Sequence, residues 1–134
     1  YLYSMANRPD KTAEIVRQIF DNYYLPARDG LCGNDDCGQM SAWYLFSAMG
    51  FYPVDPVSGE YVLGAPQANR ISLQLPSGKT FETRALNLSK ENQYVKEVRL
   101  NGKTIHSNTI PYEDVKNGGL LEFEMTHKAE NRMQ

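Results

Sequence analysis

Residues 33–50 read Gly33-Asn34-Asp35-Asp36-Cys37-Gly38-Gln39-Met40-Ser41-Ala42-Trp43-Tyr44-Leu45-Phe46-Ser47-Ala48-Met49-Gly50. No charged side chain lies between Cys37 and Met49, and Gly50 followed by Pro53 is a stop signal, so the pattern predicts a helix over 37–49. A helix that is apolar all round is buried on most sides and needs neighbours. One partner helix cannot cover it. The first part of the chain therefore reads as part of a larger helical assembly.

Working upstream, Ala13, Val16, Phe20 and Tyr23 recur at helical spacing with Ile15 and Ile19 beside them, which predicts a helix over 10–23. Pro9 suits its first turn. Asn7 or Arg8 then lies at the cap, and Asn7 is the better capping type. The segment from Leu25 to Gly38 joins the two helices. It is long for a helix–helix connection and rich in turn formers, and long loops in compact domains tend to carry function.

Downstream the sequence changes character near residue 53. Ile71, Leu73 and Leu75 alternate with polar residues, and Pro76-Ser77-Gly78-Lys79 is a turn leading into a strand over 80–87. A strand over 94–100 meets Asn101-Gly102, a hairpin signal, and returns through 103–106. Tyr112 to Lys116 fits one helical turn, and Leu121, Phe123 and Met125 alternate in a last strand. Lys128 to Gln134 reads as a frayed end. The fold class is α+β: helices over 1–54, then a small antiparallel β region over 55–134.

Composition narrows the class. Across 134 residues, 41% are hydrophobic and 22% charged, enough apolar material for a core and too little charge for disorder. The formal net charge of −2 argues against nucleic acid or an anionic membrane as partner, since either needs a basic stripe. No apolar run is long enough to span a bilayer. The chain opens Tyr1-Leu2-Tyr3 without Met or a signal region, which reads as a segment of a longer protein or a processed chain.

The chemistry points to Gly33–Gln39. Two adjacent carboxylates, Asp35 and Asp36, stand at the start of a buried helix, framed by glycines that let the backbone turn tightly. The positive end of the helix dipole favours the charged form of Asp, suiting it to act as a base or metal ligand rather than a general acid. A structural role fits too: Asp36-Cys37-Gly38-Gln39 has the spacing of a capping box, with Asp36 as cap and Gln39 reaching back. That leaves Asp35, the glycines and the apolar helix unexplained. Both roles stay open at this point.

Other residues carry less. Cys32 and Cys37 read as two thiols or a loop disulfide, and no nearby His supports a catalytic Cys. His106 and His127 are singletons, and Trp43 reads as core rather than as a sugar platform. The loop lacks the EF-hand spacing. Asn87-Leu88-Ser89 is a glycosylation sequon, and the charges around Lys96 to Arg99 read as a solvated strand face.

Gly33 to Tyr44, followed by Phe46-Ser47-Ala48-Met49-Gly50-Phe51-Tyr52-Pro53, closely resembles the signature of glycoside hydrolase family 92, the calcium-dependent, exo-acting α-mannosidases. The likeness extends through Tyr1-Leu2-Tyr3, Val16-Arg17-Gln18-Ile19, Tyr61 to Pro66, Leu75 to Lys79 and Leu100 to Lys103. The resemblance implies an N-terminal β-sandwich joined to an (α/α)6 barrel. This chain would be the C-terminal end: the last barrel helices with the active-site loop over 1–54, then a terminal β region over 55–134. It also implies hydrolysis of terminal α-mannosides of glycans with inversion (α-1,2-mannosidase-like, in N-glycan degradation), in a periplasmic or cell-surface enzyme.

The same resemblance implies an upstream Glu as general acid and an Asp of this motif as general base, with Asp36 the first choice and Asp35 the second. Asn34 stands where some relatives carry an acid, and an amide cannot serve as a base. Calcium is implied as the cofactor, orienting sugar hydroxyls, with no ligand assigned to a residue of this chain. The remainder of the parent enzyme and a mannose-containing glycan are the implied partners. A second reading of the chain is a non-catalytic, β-rich carbohydrate-binding or interaction module, with Tyr94 and Tyr112 as sugar platforms.

Overall fold

The computed structural model describes residues 1–129. A short helix α1 (Leu2–Met5) precedes α2 (Pro9–Tyr23), and the long loop leads into α3 (Gln39–Met49). Strands β1 (Phe51–Tyr52), β2 (Glu60–Leu63), β3 (Arg70–Gln74), β4 (Thr80–Leu86), β5 (Tyr94–Leu100), β6 (Lys103–Ile105) and β7 (Thr109–Pro111) follow, then α4 (Tyr112–Lys116) and β8 (Gly119–Thr126). The α+β expectation holds. The frayed end expected over 128–134 lies mostly outside the described residues.

Two sheets are formed, a three-stranded one in the order β1-β2-β7 and a five-stranded one in the order β3-β4-β8-β5-β6. The second is mixed rather than antiparallel, because β4 and β8 run parallel, with Phe81 opposite Gly119 and Leu86 opposite Glu124. Strand β8 lies between β4 and β5, so its alternation has one side to bury: Leu121, Phe123 and Met125 face the core. Glu122 and Glu124 face outward with the charged strand residues. There Arg99 bridges Glu97 and Glu124 at 2.7 and 3.2 Å, and Arg70 and Arg84 both hold Glu82. The solvated charged face expected around Lys96 to Arg99 is this surface.

The small sheet escaped the alternation test. Tyr61, Val62 and Leu63 are all buried, so β2 shows a continuous apolar run that sequence period cannot tell from a helix segment. The core runs across residue 54: Ala13, Met49 and Phe51 join Leu63, Phe81, Val98, Ile110, Leu121 and Phe123 in one cluster. Phe51 meets Tyr61 and Phe81 edge-on at 5.0 and 6.0 Å, the arrangement aromatic quadrupoles favour.

The helices are tied to this core. Ala13 and Val16 of α2 are buried, and Tyr94 of β5 donates its hydroxyl to Glu14 at 3.1 Å. Asn108 donates to the Ser4 carbonyl at 2.9 Å, and Ser4 to Thr12 at 2.8 Å, both inside. Asn7 is not the cap. It is left-handed (φ 59°) with its amide oxygen towards Asn108, and Arg8 takes the cap position without a side-chain cap bond. Helix α3 ends as expected at Gly50, whose φ is 94° and where a Cβ would fall 2.8 Å from the Phe123 ring. Its apolar surface stays largely uncovered in this chain: Leu45 is 60% exposed, and only Ser47, Ala48 and Met49 are buried.

Candidate active site

The loop between α2 and α3 is held at its stems by aromatic side chains. Phe20 stacks on Tyr44 at 4.6 Å and Tyr24 on Trp43 at 5.5 Å, so the four rings zip the end of α2 to the first half of α3. Trp43 is thus partly buried in an aromatic cluster, as expected. The Tyr24 hydroxyl donates to the Met40 carbonyl at 3.1 Å, and burial raises its pKa above the ordinary tyrosine value. Tyr24 also bridges to Leu31, while Leu25 N–H bonds the Gly30 carbonyl at 2.9 Å, closing the first half of the loop into a tight turn.

The second half enters the helix by an unusual route. Asp36, Cys37 and Gly38 are successively left-handed, with φ of 38°, 60° and 84°. Two of the three carry a Cβ, a conformation that costs about 1–3 kcal/mol each and persists only where the surroundings over-determine it. This turn delays the helix to Gln39, two residues later than the sequence pattern predicts. Gly38 is the N-cap and has no side chain to offer.

The capping duty falls to Asp35. One of its carboxylate oxygens accepts the Ser41 N–H at 2.9 Å and the other accepts the Ser41 hydroxyl at 2.9 Å. Ser41 is the third residue of α3, one of the helix positions whose N–H has no intrahelical acceptor. The backbone N–H and then the hydroxyl of Ser41 hold the Asp35 pKa below the usual carboxylate value. The capping box expected of Asp36 and Gln39 is therefore not formed. Asp35 caps from one residue earlier because the left-handed turn folds it back over the helix end. Asp36 is exposed, and among the described residues no group donates to its carboxylate.

A cleft of about 570 Å³ is lined by Tyr24, Leu25, Pro26, Gly30, Leu31, Ser41, Tyr44 and Leu45, and neither Asp35 nor Asp36 is among its lining residues. Ser41 thus touches the cleft on one side and Asp35 on the other. Sequence reading missed Ser41. Its signal was available, since a Ser at the third position of a helix behind a pair of aspartates offers two donors to one of them.

Cys32 and Cys37 are exposed free thiols, and His106 and His127 are exposed on the surface. Among the described residues no three His, Cys, Asp or Glu side chains converge as a metal site. Of the two sugar-platform candidates, Tyr94 is half-buried in its bond to Glu14 and Tyr112 packs beside Tyr61 at 6.0 Å.

Residues 1–127 match the family model described as the glycosyl hydrolase family 92 catalytic domain. The chain is similar over its full length to the family GH92 alpha-mannosidase BT3965 from Bacteroides thetaiotaomicron, solved in complex with mannoimidazole, with 42% identity and a TM-score of 0.94. The family GH92 inverting mannosidase BT2199 from the same organism is 37% identical over 95% of the chain, with a TM-score of 0.84. An uncharacterized secreted glycosidase from Arthroderma benhamiae is 33% identical over 93% of the chain. The chain spans only 18% of each of the two solved structures and 16% of the fungal protein. The family model covers residues 1–127 and the backbone course follows that of the solved relatives, so the chain belongs to glycosyl hydrolase family 92.

Proposed function

We propose that this chain is part of an α-mannosidase that hydrolyses terminal α-mannosides with inversion, and that Asp36 is its general base. The observation that carries the assignment is the division of labour between the two aspartates. Asp35 has both oxygens engaged by Ser41 and a lowered pKa, which makes it a weaker proton acceptor. The Asp36 carboxylate next to it is exposed and unclaimed among the described residues.

In an inverting hydrolysis the base takes a proton from a water on the face of the sugar opposite the leaving group, and a separate acid protonates the departing oxygen. The two carboxyl groups stand roughly 6.5–9.5 Å apart to admit that water. The acid belongs to the parent protein outside this chain. A mannose-containing glycan is the substrate class in this reading, supported by the likeness to an alpha-mannosidase and an inverting mannosidase. An α-1,2 preference, action on N-glycans and an extracellular or periplasmic setting belong to the same proposal; the fungal relative is described as secreted. Calcium as the cofactor belongs to the same proposal, with no ligand assigned to a residue of this chain and no step assigned to the ion. The (α/α)6 barrel is likewise proposed: the uncovered apolar surface of α3 supports it, with residues 1–54 as its last helices and 55–134 as a terminal β unit.

In the complete enzyme, Asp36→Asn is expected to lower kcat on an aryl α-mannoside by about 10²–10⁴-fold with the unfolding midpoint unchanged. NMR of the first-formed product should show the β-anomer. Near-wild-type kcat in Asp36→Asn would remove Asp36 from the chemistry, and the α-anomer would remove inversion.

A further inference from the structure

The motif allows two ways of starting α3, and they place Asp36 differently. In the capping box that the sequence spells, Asp36 is the N-cap and its carboxylate accepts the N–H of Gln39, three residues on. Asp36 would then be extended, with Cys37 and Gly38 right-handed as the first residues of the helix. No residue with a Cβ would carry a positive φ, and the Asp36 carboxylate would be taken up by the helix end. The structure shows the other arrangement. The Gln39 N–H goes to the Asp35 and Asp36 carbonyls at 2.7 and 3.3 Å, and Asp36 and Cys37 are left-handed at φ of 38° and 60°.

The box is the less strained local start, so groups outside residues 36–38 have to hold the observed one. Ser41 is placed to do so. The Asp35 carboxylate spans the turn and takes the Ser41 N–H on one oxygen and the Ser41 hydroxyl on the other, both at 2.9 Å. With the Asp35 carbonyl on Gln39, these bonds pin Asp35 to the first turn of α3 and clamp residues 36–38 between two fixed points. The backbone donor does not discriminate between the two starts. In the box arrangement the Ser41 N–H would have the Cys37 carbonyl, four residues back, as its acceptor. The hydroxyl does discriminate, because its charge-assisted bond forms only when Asp35 is folded back.

We propose that Ser41 is a positioning residue for the general base: through its hydroxyl it holds Asp35 as the cap, and so keeps the neighbouring Asp36 carboxylate off the helix end and free for the attacking water. The proposal rests on Asp36 being that base.

The test is steady-state kinetics of the complete parent enzyme on an aryl α-mannoside, with the unfolding midpoint measured alongside. The proteins are wild type, Ser41→Ala, Ser41→Thr, Asp36→Asn, and Ser41→Ala combined with Cys37→Gly. Ser41→Ala keeps the backbone bond and loses the hydroxyl one. Its kcat is expected to fall about tenfold or more with KM little changed, the order of effect of one charge-assisted hydrogen bond. Ser41→Thr retains the hydroxyl and should keep most of kcat. Cys37→Gly removes the cost of the left-handed conformation, so it should restore part of the kcat lost in Ser41→Ala. A bond that serves stability alone predicts a lower midpoint with kcat intact, and that result overturns the proposal. So does a raised KM at unchanged kcat, which would put Ser41 on the substrate, or a kcat loss that Cys37→Gly leaves untouched. Undiminished kcat in Asp36→Asn removes the base assignment and this proposal with it. A kcat lost in Asp36→Asn and kept in Ser41→Ala removes this proposal alone. If Ser41→Ala does not fold, Ser41→Cys, a weak donor of similar size, takes its place with the same outcomes.

Discussion

At the scale of single residues, the site turns on which of two neighbouring carboxylates is already engaged. Asp35 accepts both donors of Ser41, and three left-handed residues then carry Asp36 away from the helix end. Two aspartates that differ by one position thus meet different environments, which is how paired carboxylates come to divide roles. Asp35→Asn should lower the unfolding midpoint by a few degrees, whereas Asp36→Asn should leave it unchanged. The sign with pH follows from the lowered Asp35 pKa: its stabilisation is complete above the unfolded Asp value and is lost as pH falls through the folded one. In kcat the order should reverse, with Asp36→Asn the more damaging. If Asp35→Asn costs kcat more while the midpoint holds, the roles have been assigned the wrong way round.

At the scale of elements, the outer face of the five-stranded sheet is built from ion pairs and its inner face from aromatic and aliphatic side chains. Glu82 on β4 shows how the outer face is held. The hydrogen bond from Arg70, with those from Arg84 and Ser72, depresses its pKa to about 2 against partial desolvation. The depressed pKa means that Glu82 contributes stability above the unfolded Glu value near 4.3 and loses it as pH falls towards about 2. Unfolding of Glu82→Gln and wild type should therefore differ at pH 6 and coincide at pH 2. A difference that persists at pH 2 would mean that shape, not charge, is what the position supplies. On the inner face, β4, β5 and β8 were legible because one side of each is wet, so apolar and polar residues alternate. The strands β1, β2 and β7 were not, since β2 is buried from Tyr61 to Leu63 and β1 and β7 are only two and three residues long.

For the whole molecule, the described residues form a continuous core and an incomplete surface. Phe51, Phe81, Leu121 and Phe123 are sealed, while Leu45, Leu25 and Tyr23 stand open around the candidate site. In the proposed mechanism the general acid comes from the parent protein outside this chain. The 134-residue chain alone is expected to show no turnover of an aryl α-mannoside above the buffer rate. Turnover that disappears in Asp36→Asn would show that the acid is here after all.

Local rules were enough for much of this protein. A stop at Gly50, the Asn101-Gly102 turn and the alternation of Leu121, Phe123 and Met125 depend on a handful of consecutive residues, so the helices, the hairpin and the last strand could be read along the chain. The motif from Gly33 to Pro53 was likewise readable, and with it the family. Two things waited for the fold: the parallel pairing of β4 with β8 and the choice of Asp35 rather than Asp36 as the cap. Each depends on where the chain brings distant or reversed segments together. Residue 81 is set beside 119, and a left-handed turn carries Asp35 back to Ser41. Backbone direction and burial are properties of the packed molecule, and no window of sequence contains them.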